Sequence, residues 1–161
     1  PCGTYGSRIT PCRCTAQQIQ RYRNRISGPM LDRIDIHVEM GEVGYNDIAG
    51  RSCGEPSSAI RARVNAARAI QTRRYAGMGI LFNAQLTNRM MNQYCVLTSD
   101  AESLMKKAFA ALKLSARAYT RLLKVSRTIA DLAGSEQIKA EHIAEAIQYR
   151  SLESKYWGEI K

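Results

Sequence analysis

Hydrophobic positions alternate with polar ones in one stretch of the chain and recur at helical spacing over most of the rest. Ile34, Ile36, Val38 and Met40 alternate with polar residues, and this period of two is typical of a half-buried strand. Residues 41–56, rich in glycine and turn formers, are predicted to form a loop. Because a lone strand leaves its backbone groups unpaired at both edges, we expect an upstream segment to pair with it.

Helices are predicted on both sides of this strand. Thr15 and Gln18 form a capping-box pattern, and the helix that begins there is expected to end near residue 26. From Ser57 onward the whole chain is predicted to be helical. The signals there are an apolar stripe of Ile60, Val64 and Ala67, a helix after Thr87, a capping box of Ser99 and Glu102, a helix from Ser115 to Gly134, and a last helix holding Ile143, Ala146 and Ile147. The pattern therefore predicts a mainly α chain.

Composition narrows the class of protein. The 161 residues allow one domain, or one domain and part of a second. The net charge of +10 favours contact with phosphates, although an inert basic surface has the same composition. No apolar run approaches the roughly 18 residues of a membrane span, and no signal peptide is visible. We therefore expect a soluble, cytoplasmic protein without a membrane partner.

Three of the five cysteines, Cys2, Cys12 and Cys14, lie close together in the sequence, and an odd total does not fit a secreted disulfide framework. A structural Zn²⁺ takes four ligands, usually Cys or His, so one ligand is missing. His37 is a candidate if the strand folds back onto the loop, and a cysteine just before Pro1 would complete the set more simply. The alternative is three free or oxidised thiols. The opening at Pro1, without an initiator Met, suggests that residues precede it.

Arg33 lies between Asp32 and Asp35 at the start of the predicted strand. A planar guanidinium is always cationic and can bind two oxygens of a phosphate at once. The alternative is a salt bridge from Arg33 to one of the flanking carboxylates.

A second basic group follows Ser115. On the helix predicted there, Arg117, Arg121 and Lys124 fall within roughly 60° of one another, opposite the apolar stripe. Such a face is typical of phosphate binding or of simple solvation. The sequence contains no Gly-rich phosphate loop, no Ser-His-Asp set and no HExxH motif.

Nearly the whole chain is similar to one family, with the matching segments in the right order. The segments are Cys2-Gly3, Pro11-Cys12-Arg13-Cys14, Ile19-Gln20-Arg21-Tyr22-Arg23, Ile26-Ser27-Gly28-Pro29, Leu31-Asp32-Arg33-Ile34-Asp35-Ile36, Ile60-Arg61-Ala62-Arg63-Val64, Asn83-Ala84-Gln85, Leu114-Ser115-Ala116-Arg117-Ala118-Tyr119, Arg127-Thr128-Ile129-Ala130-Asp131-Leu132 and Ala144-Glu145-Ala146-Ile147-Gln148-Tyr149-Arg150. Together they closely resemble the Mg-chelatase-related AAA+ ATPases of the ComM/YifB type. The chain departs from the family at Gly54-Glu55-Pro56-Ser57-Ser58 and at Lys139, where a polar helix cap is usual.

The resemblance implies a helical AAA+ lid preceded by a remnant of the α/β AAA+ core. Residues 1–50 would be the edge of the core, with the Cys loop and one short strand, residues 51–152 the lid, and residues 153–161 a flexible tail. It also implies a homohexameric parent protein that hydrolyses ATP with Mg²⁺ and acts on DNA as a branch-migration motor in natural transformation. Because the Walker motifs and sensor 1 would precede this chain, the fragment alone should not be an enzyme.

The same matching assigns roles to single residues. Arg33 occupies the position of an arginine finger that acts on the nucleotide of a neighbouring protomer, and Arg117 that of the sensor-2 arginine of the lid. Arg121 and Lys124 are weaker candidates for phosphate or nucleic-acid contact. A family Cys-Pro-Cys-Gly pattern would put one more cysteine before Pro1. Two alternatives stay open: a free-standing zinc- or nucleic-acid-binding helical module, and a subunit of a metal-chelatase motor that inserts magnesium into a porphyrin.

Overall fold

The computed structural model describes residues 1–7, 9–50 and 54–150, and in these ranges the chain is mainly helical. The α-helices are α1 Ala16–Arg23, α2 Gly28–Leu31, α3 Tyr45–Ala49, α4 Ser57–Arg74, α5 Asn88–Tyr94, α6 Ser99–Ala111, α7 Ala116–Leu132 and α8 Ala140–Gln148, with a 3₁₀ turn at Asn83–Gln85. This confirms the predicted mainly α class. None of the described helices is long and apolar enough to cross a membrane. Cys53 and the predicted tail, 153–161, lie outside the described residues.

Side chains cap several of these helices, as their sequences indicate. At the start of α1 the Gln18 amide donates to the Thr15 hydroxyl over 3.3 Å, and the Thr15 amide donates to the Gln18 side chain over 2.9 Å. Ser115 caps α7 by accepting from the Ala118 amide. The helix is closed by Gly134, whose φ of 66° lies in the left-handed region that glycine adopts without strain.

Two caps differ from the expectation. The cap of α6 is Thr98, whose hydroxyl accepts from the Ala101 amide, and not Ser99. The Thr98 amide donates to the Ile138 carbonyl over 3.0 Å beside a parallel bridge, and this pairing holds Thr98 in the extended conformation that an N-cap needs. At α8 the cap is supplied by His142, whose Nδ1 accepts from the Lys139 amide over 3.0 Å.

The core lies around α7, which packs against α4, α8 and the 3₁₀ turn, while α6 packs against α8. Leu122 and Leu123 of α7 are buried at its centre. The other buried members of the core are Tyr75, Leu86, Met91, Cys95, Ala101, Met105, Ile129, Ala130, Ile138, Ile143 and Ala146. All of them come from residues 75–146, so the lid contains a hydrophobic core of its own.

The predicted apolar stripe of α4 is only partly buried. Ala67 is buried, but Ile60 and Val64 are 41% and 43% exposed. The buried residues of α4, Ala67 and Gln71, lie in its C-terminal half, while Arg63 in the N-terminal half forms an exposed pair with Glu55.

The prediction of a β-strand at residues 34–40 is wrong. Residues 34–40 form no strand, and Ile36, Val38 and Met40 are exposed. A strand requires a neighbouring strand to take up its backbone groups, and among the described residues the segment instead meets the lid, where the His37 amide donates to the Tyr149 carbonyl over 2.8 Å. Leu31 is the one buried residue described in 1–50.

Candidate functional site

Arg33 follows α2 and projects an exposed side chain. Its guanidinium donates to the carbonyl of Pro29 over 2.9 Å, one turn earlier. Within the described residues no salt bridge joins Arg33 to Asp32 or Asp35, the two partners that the sequence offers. The cation therefore lies at the surface, and none of the described carboxylates forms a salt bridge with it.

The two flanking carboxylates are bound by the lid instead. Asp32 accepts a hydrogen bond from the Ser115 hydroxyl over 3.1 Å, and its other oxygen lies 3.6 Å from the guanidinium of Arg150. Asp35 forms a salt bridge with Arg121. Both acidic neighbours of Arg33 are thus neutralised by groups on α7 and just after α8.

Arg117, Arg121 and Lys124 line the same open cleft, which has a volume of about 500 Å³. The cleft is also lined by Asp35, Ile36, Ala84, Thr120, Val125, Thr128, Ile129, Leu132, Glu145 and Tyr149. Arg117 is exposed, and in the described part of the chain no salt bridge reaches it. Lys124 donates to the carbonyl of Ala84 over 2.9 Å. The structure brings the three predicted basic residues together beside the segment that carries Arg33.

The three clustered cysteines also come together. Their sulfur atoms all lie within 4.8 Å of one another, and Cys2 Sγ lies 3.4 Å from Cys12 Sγ. His37 is not part of this cluster. Cys2 Sγ lies 3.1 Å from the Thr4 hydroxyl, and hydrogen bonding by Thr4, with smaller contributions from Cys14 and Cys12, lowers the pKa of Cys2 to about 6. A thiolate is the form that binds metals.

These distances agree with the geometry of a zinc site. A tetrahedral Zn²⁺ with Zn–S bonds of about 2.3 Å sets its sulfur ligands about 3.8 Å apart. Cys2, Cys12 and Cys14 can therefore occupy three corners of such a tetrahedron with small adjustments of their side chains.

Sequence reasoning missed a buried ionic cluster around Asp131. This carboxylate accepts hydrogen bonds from Arg74 over 2.6 and 2.9 Å, from Arg127 over 3.1 Å and from Asn83 over 2.8 Å. Burial by itself would raise the pKa of Asp131, but the hydrogen bonds from Arg74 and Asn83 and the charge of Arg127 outweigh it and lower the pKa below 3.8. The spacing of Arg127 and Asp131 by four residues was the only sequence signal, since the other partners come from distant segments.

Asn83 completes this cluster and explains the position of the 3₁₀ turn. Its side-chain oxygen accepts from the Tyr75 hydroxyl over 2.6 Å, and its amide donates to Thr128 over 3.0 Å as well as to Asp131. Asn83 is 1% exposed, so every one of these contacts is made away from water. The cluster ties α4 and the 3₁₀ turn to α7, and thereby fixes one wall of the cleft.

Comparison with known proteins agrees with this architecture. Residues 54–150 match the family described as magnesium chelatase, subunit ChlI C-terminal, and residues 1–48 match the family described as magnesium chelatase, subunit ChlI. The chain is 42% identical over 153 residues to the competence protein ComM of Haemophilus influenzae, which covers 94% of the chain and 29% of that relative. It is 41% identical over 142 residues to the uncharacterized protein YifB of Salmonella typhimurium, covering 88% of the chain and 27% of the relative. The chain thus spans less than a third of these relatives.

Proposed function

The chain belongs to the family described as magnesium chelatase, subunit ChlI C-terminal, and is ComM/YifB-like. From this premise we propose that it supplies the arginine finger and the sensor-2 lid of a ring-forming AAA+ ATPase. The observation that carries the proposal is the state of Arg33: its guanidinium is exposed, while Asp32 and Asp35 are occupied by the lid. An arginine kept clear of carboxylates can reach an anion on another molecule.

Each arginine has a defined part in this proposal. Arg33 reaches the nucleotide of the neighbouring protomer and stabilises the negative charge that develops on the transferred phosphoryl group, an effect worth about 10³- to 10⁵-fold in rate in related systems. Arg117 contacts the phosphates of the nucleotide in its own protomer from the start of α7. Lys124 adds positive charge to the same cleft. Bound ATP with Mg²⁺ would supply the phosphoryl group.

We extend the proposal to the work that hydrolysis drives. The net charge of +10 suits a polyanionic partner, and one relative is named as a competence protein. Both points favour DNA remodelling of the branch-migration type over the insertion of magnesium into a porphyrin. If the protein remodels DNA, branched DNA should stimulate the ATPase of the full-length protein and a porphyrin should not.

Subunit mixing tests the finger. In the full-length protein, Arg33→Ala should leave ATP binding intact and reduce turnover, whereas Arg117→Ala should weaken both. Mixing Arg33→Ala subunits with subunits disabled in the phosphate loop should restore part of the activity, because the intact finger of one then faces the intact pocket of the other.

The control for this experiment is proof of mixed assembly, for example by two affinity tags. If mixed rings form and show no more activity than either mutant alone, Arg33 does not act across a subunit boundary. If Arg33→Ala unfolds the chain and turnover per folded molecule is unchanged, the residue is structural.

On separate evidence we propose that Cys2, Cys12 and Cys14 bind Zn²⁺. The support is the distance among the three sulfur atoms, which suits a tetrahedral ion. A bound ion would hold Cys2 and Cys12 beside the start of α1, since Cys14 directly precedes the Thr15 cap. The fourth ligand would be water or a group outside the three cysteines.

A further inference from the structure

The backbone on both sides of Arg33 is bound by the lid. Arg121 of α7 donates to the Arg33 carbonyl over 2.5 Å and pairs with the Asp35 carboxylate. The Arg121 guanidinium thus contacts both Arg33, the proposed finger, and Asp35. At Arg33 the hydrogen bond is to the backbone carbonyl, and the guanidinium of Arg33 donates to the Pro29 carbonyl.

A second arginine, Arg150, binds the same segment. Arg150 is 4% exposed, and its guanidinium donates to the Ile34 carbonyl over 3.3 Å and lies 3.6 Å from Asp32. The His37 amide donates to the carbonyl of Tyr149, the residue before Arg150. The segment 32–37 is therefore held at five of its six residues by residues of the lid.

Ser115 links this segment to the start of α7. Its hydroxyl accepts from the Ala118 amide as the helix cap and donates to Asp32. Arg117 is two residues further along, and Arg121 is one turn beyond Arg117. Arg117, the proposed nucleotide sensor, therefore lies on the same helix as Arg121 and its cap Ser115. Arg121 and Ser115 are two of the residues that hold segment 32–37, which we call the finger segment.

We propose that Arg121 is a positioning residue for Arg33, and that α7 mechanically couples the nucleotide contact of Arg117 in one protomer to the finger offered to the next. This inference rests on the proposed function of Arg33 and Arg117. When α7 shifts on binding or releasing nucleotide, the Arg121 and Ser115 contacts carry the finger segment with it. A displacement of about 1 Å at a catalytic group can cost about 10²-fold in rate, so such a shift is enough to switch the neighbouring site.

The Arg121 to Asp35 pair is suited to positioning more than to stability. The two side chains are 28% and 53% exposed, and ion pairs with this exposure contribute little to the free energy of unfolding. Removing the Arg121 guanidinium should therefore leave the lid folded and release the finger segment. The buried Asp131 cluster is formed by other residues and is separate from these contacts.

The first test measures turnover in the full-length protein. Arg121→Ala should lower kcat by about 10- to 100-fold with the affinity for ATP unchanged. Arg121→Lys should recover part of the loss, since it keeps the charge but loses the planar fork. The double variant Arg33→Ala/Arg121→Ala should be no slower than Arg33→Ala, because Arg121 acts only through Arg33. Lys106→Ala, which removes an exposed ion pair with Glu102, is the matched control.

The second test needs no ATPase activity. Amide hydrogen exchange in the 161-residue chain should become faster in residues 32–37 of Arg121→Ala and stay unchanged in Lys106→Ala. Unchanged exchange in Arg121→Ala overturns the positioning role. A loss of ATP affinity in Arg121→Ala also overturns it, because Arg121 would then contact phosphate itself. If exchange accelerates but Arg33→Ala leaves turnover unchanged, the contact stands and the proposed finger function fails.

Discussion

Arg127 and Asp131 lie one turn apart on α7, and both are almost completely excluded from water, with exposures of 1% and 2%. The Arg127 guanidinium donates to Asp131 over 3.1 Å and to the carbonyls of Glu136 and Ser135 over 2.7 and 2.5 Å. It thereby joins α7 to the loop that leads into α8. A buried arginine with all these acceptors orders the chain on both sides of Gly134.

Asp131→Asn should destabilise the lid by about 3–5 kcal/mol, because it leaves Arg74 and Arg127 near one another without their shared counter-charge. Chemical denaturation followed by circular dichroism measures the change. Glu55→Gln is the matched control, since it removes one carboxylate from an exposed pair with Arg63. If Asp131→Asn is as stable as Glu55→Gln, the cluster makes no net contribution to the free energy of unfolding.

The same carboxylate predicts a dependence of stability on pH. Since the pKa of Asp131 is lowered in the folded state, its ionised form stabilises the fold above the unfolded pKa of about 3.9, and this contribution is lost as the pH falls through the folded value. The stability difference between the wild type and Asp131→Asn should be constant above about pH 5 and shrink below about pH 4. Denaturation midpoints at a series of pH values measure it, and a difference that persists unchanged to the lowest pH would contradict this assignment.

The cysteine cluster predicts selective metal binding. Co²⁺, used as a probe for Zn²⁺, should give sulfur-to-metal charge-transfer absorption with the wild-type chain and lose most of it in Cys12→Ser. Cys95→Ser is the control, because Cys95 is buried in the core, where burial raises its pKa to about 11. Binding should tighten when a cysteine is added before Pro1, since structural zinc favours four protein ligands. Equal absorption in Cys12→Ser and the wild type would exclude a shared site.

Nucleotide affinity should be low in the 161-residue chain, because its sequence lacks the Gly-rich loop and lysine that bind the β- and γ-phosphates. Calorimetry with ATP and Mg²⁺ is expected to show no binding in the micromolar range. Micromolar affinity would mean that the cleft of Arg117 and Lys124 binds the nucleotide without a phosphate loop, and would contradict the assignment of this chain as the lid of a larger site.

Local sequence was sufficient to predict most of the helices and to recognise the family. Thr15 with Gln18, Ser115 and Gly134 act through atoms within a few residues of themselves, so their capping is visible in the sequence. The same holds for the basic face of α7, since Arg117, Arg121 and Lys124 share a side through helical spacing alone.

Contacts between distant segments could not be predicted in this way. The sequence alone determined that residues 34–40 alternate, that Arg33 lies between two carboxylates and that Arg127 is one turn from Asp131. Only the tertiary structure decided that residues 34–40 meet the lid instead of a strand, and that Asp35 pairs with Arg121, 86 residues away. The reason is physical: periodicity reports which side of an element is apolar, whereas the partner of a charge or a backbone amide depends on which segments fold beside it.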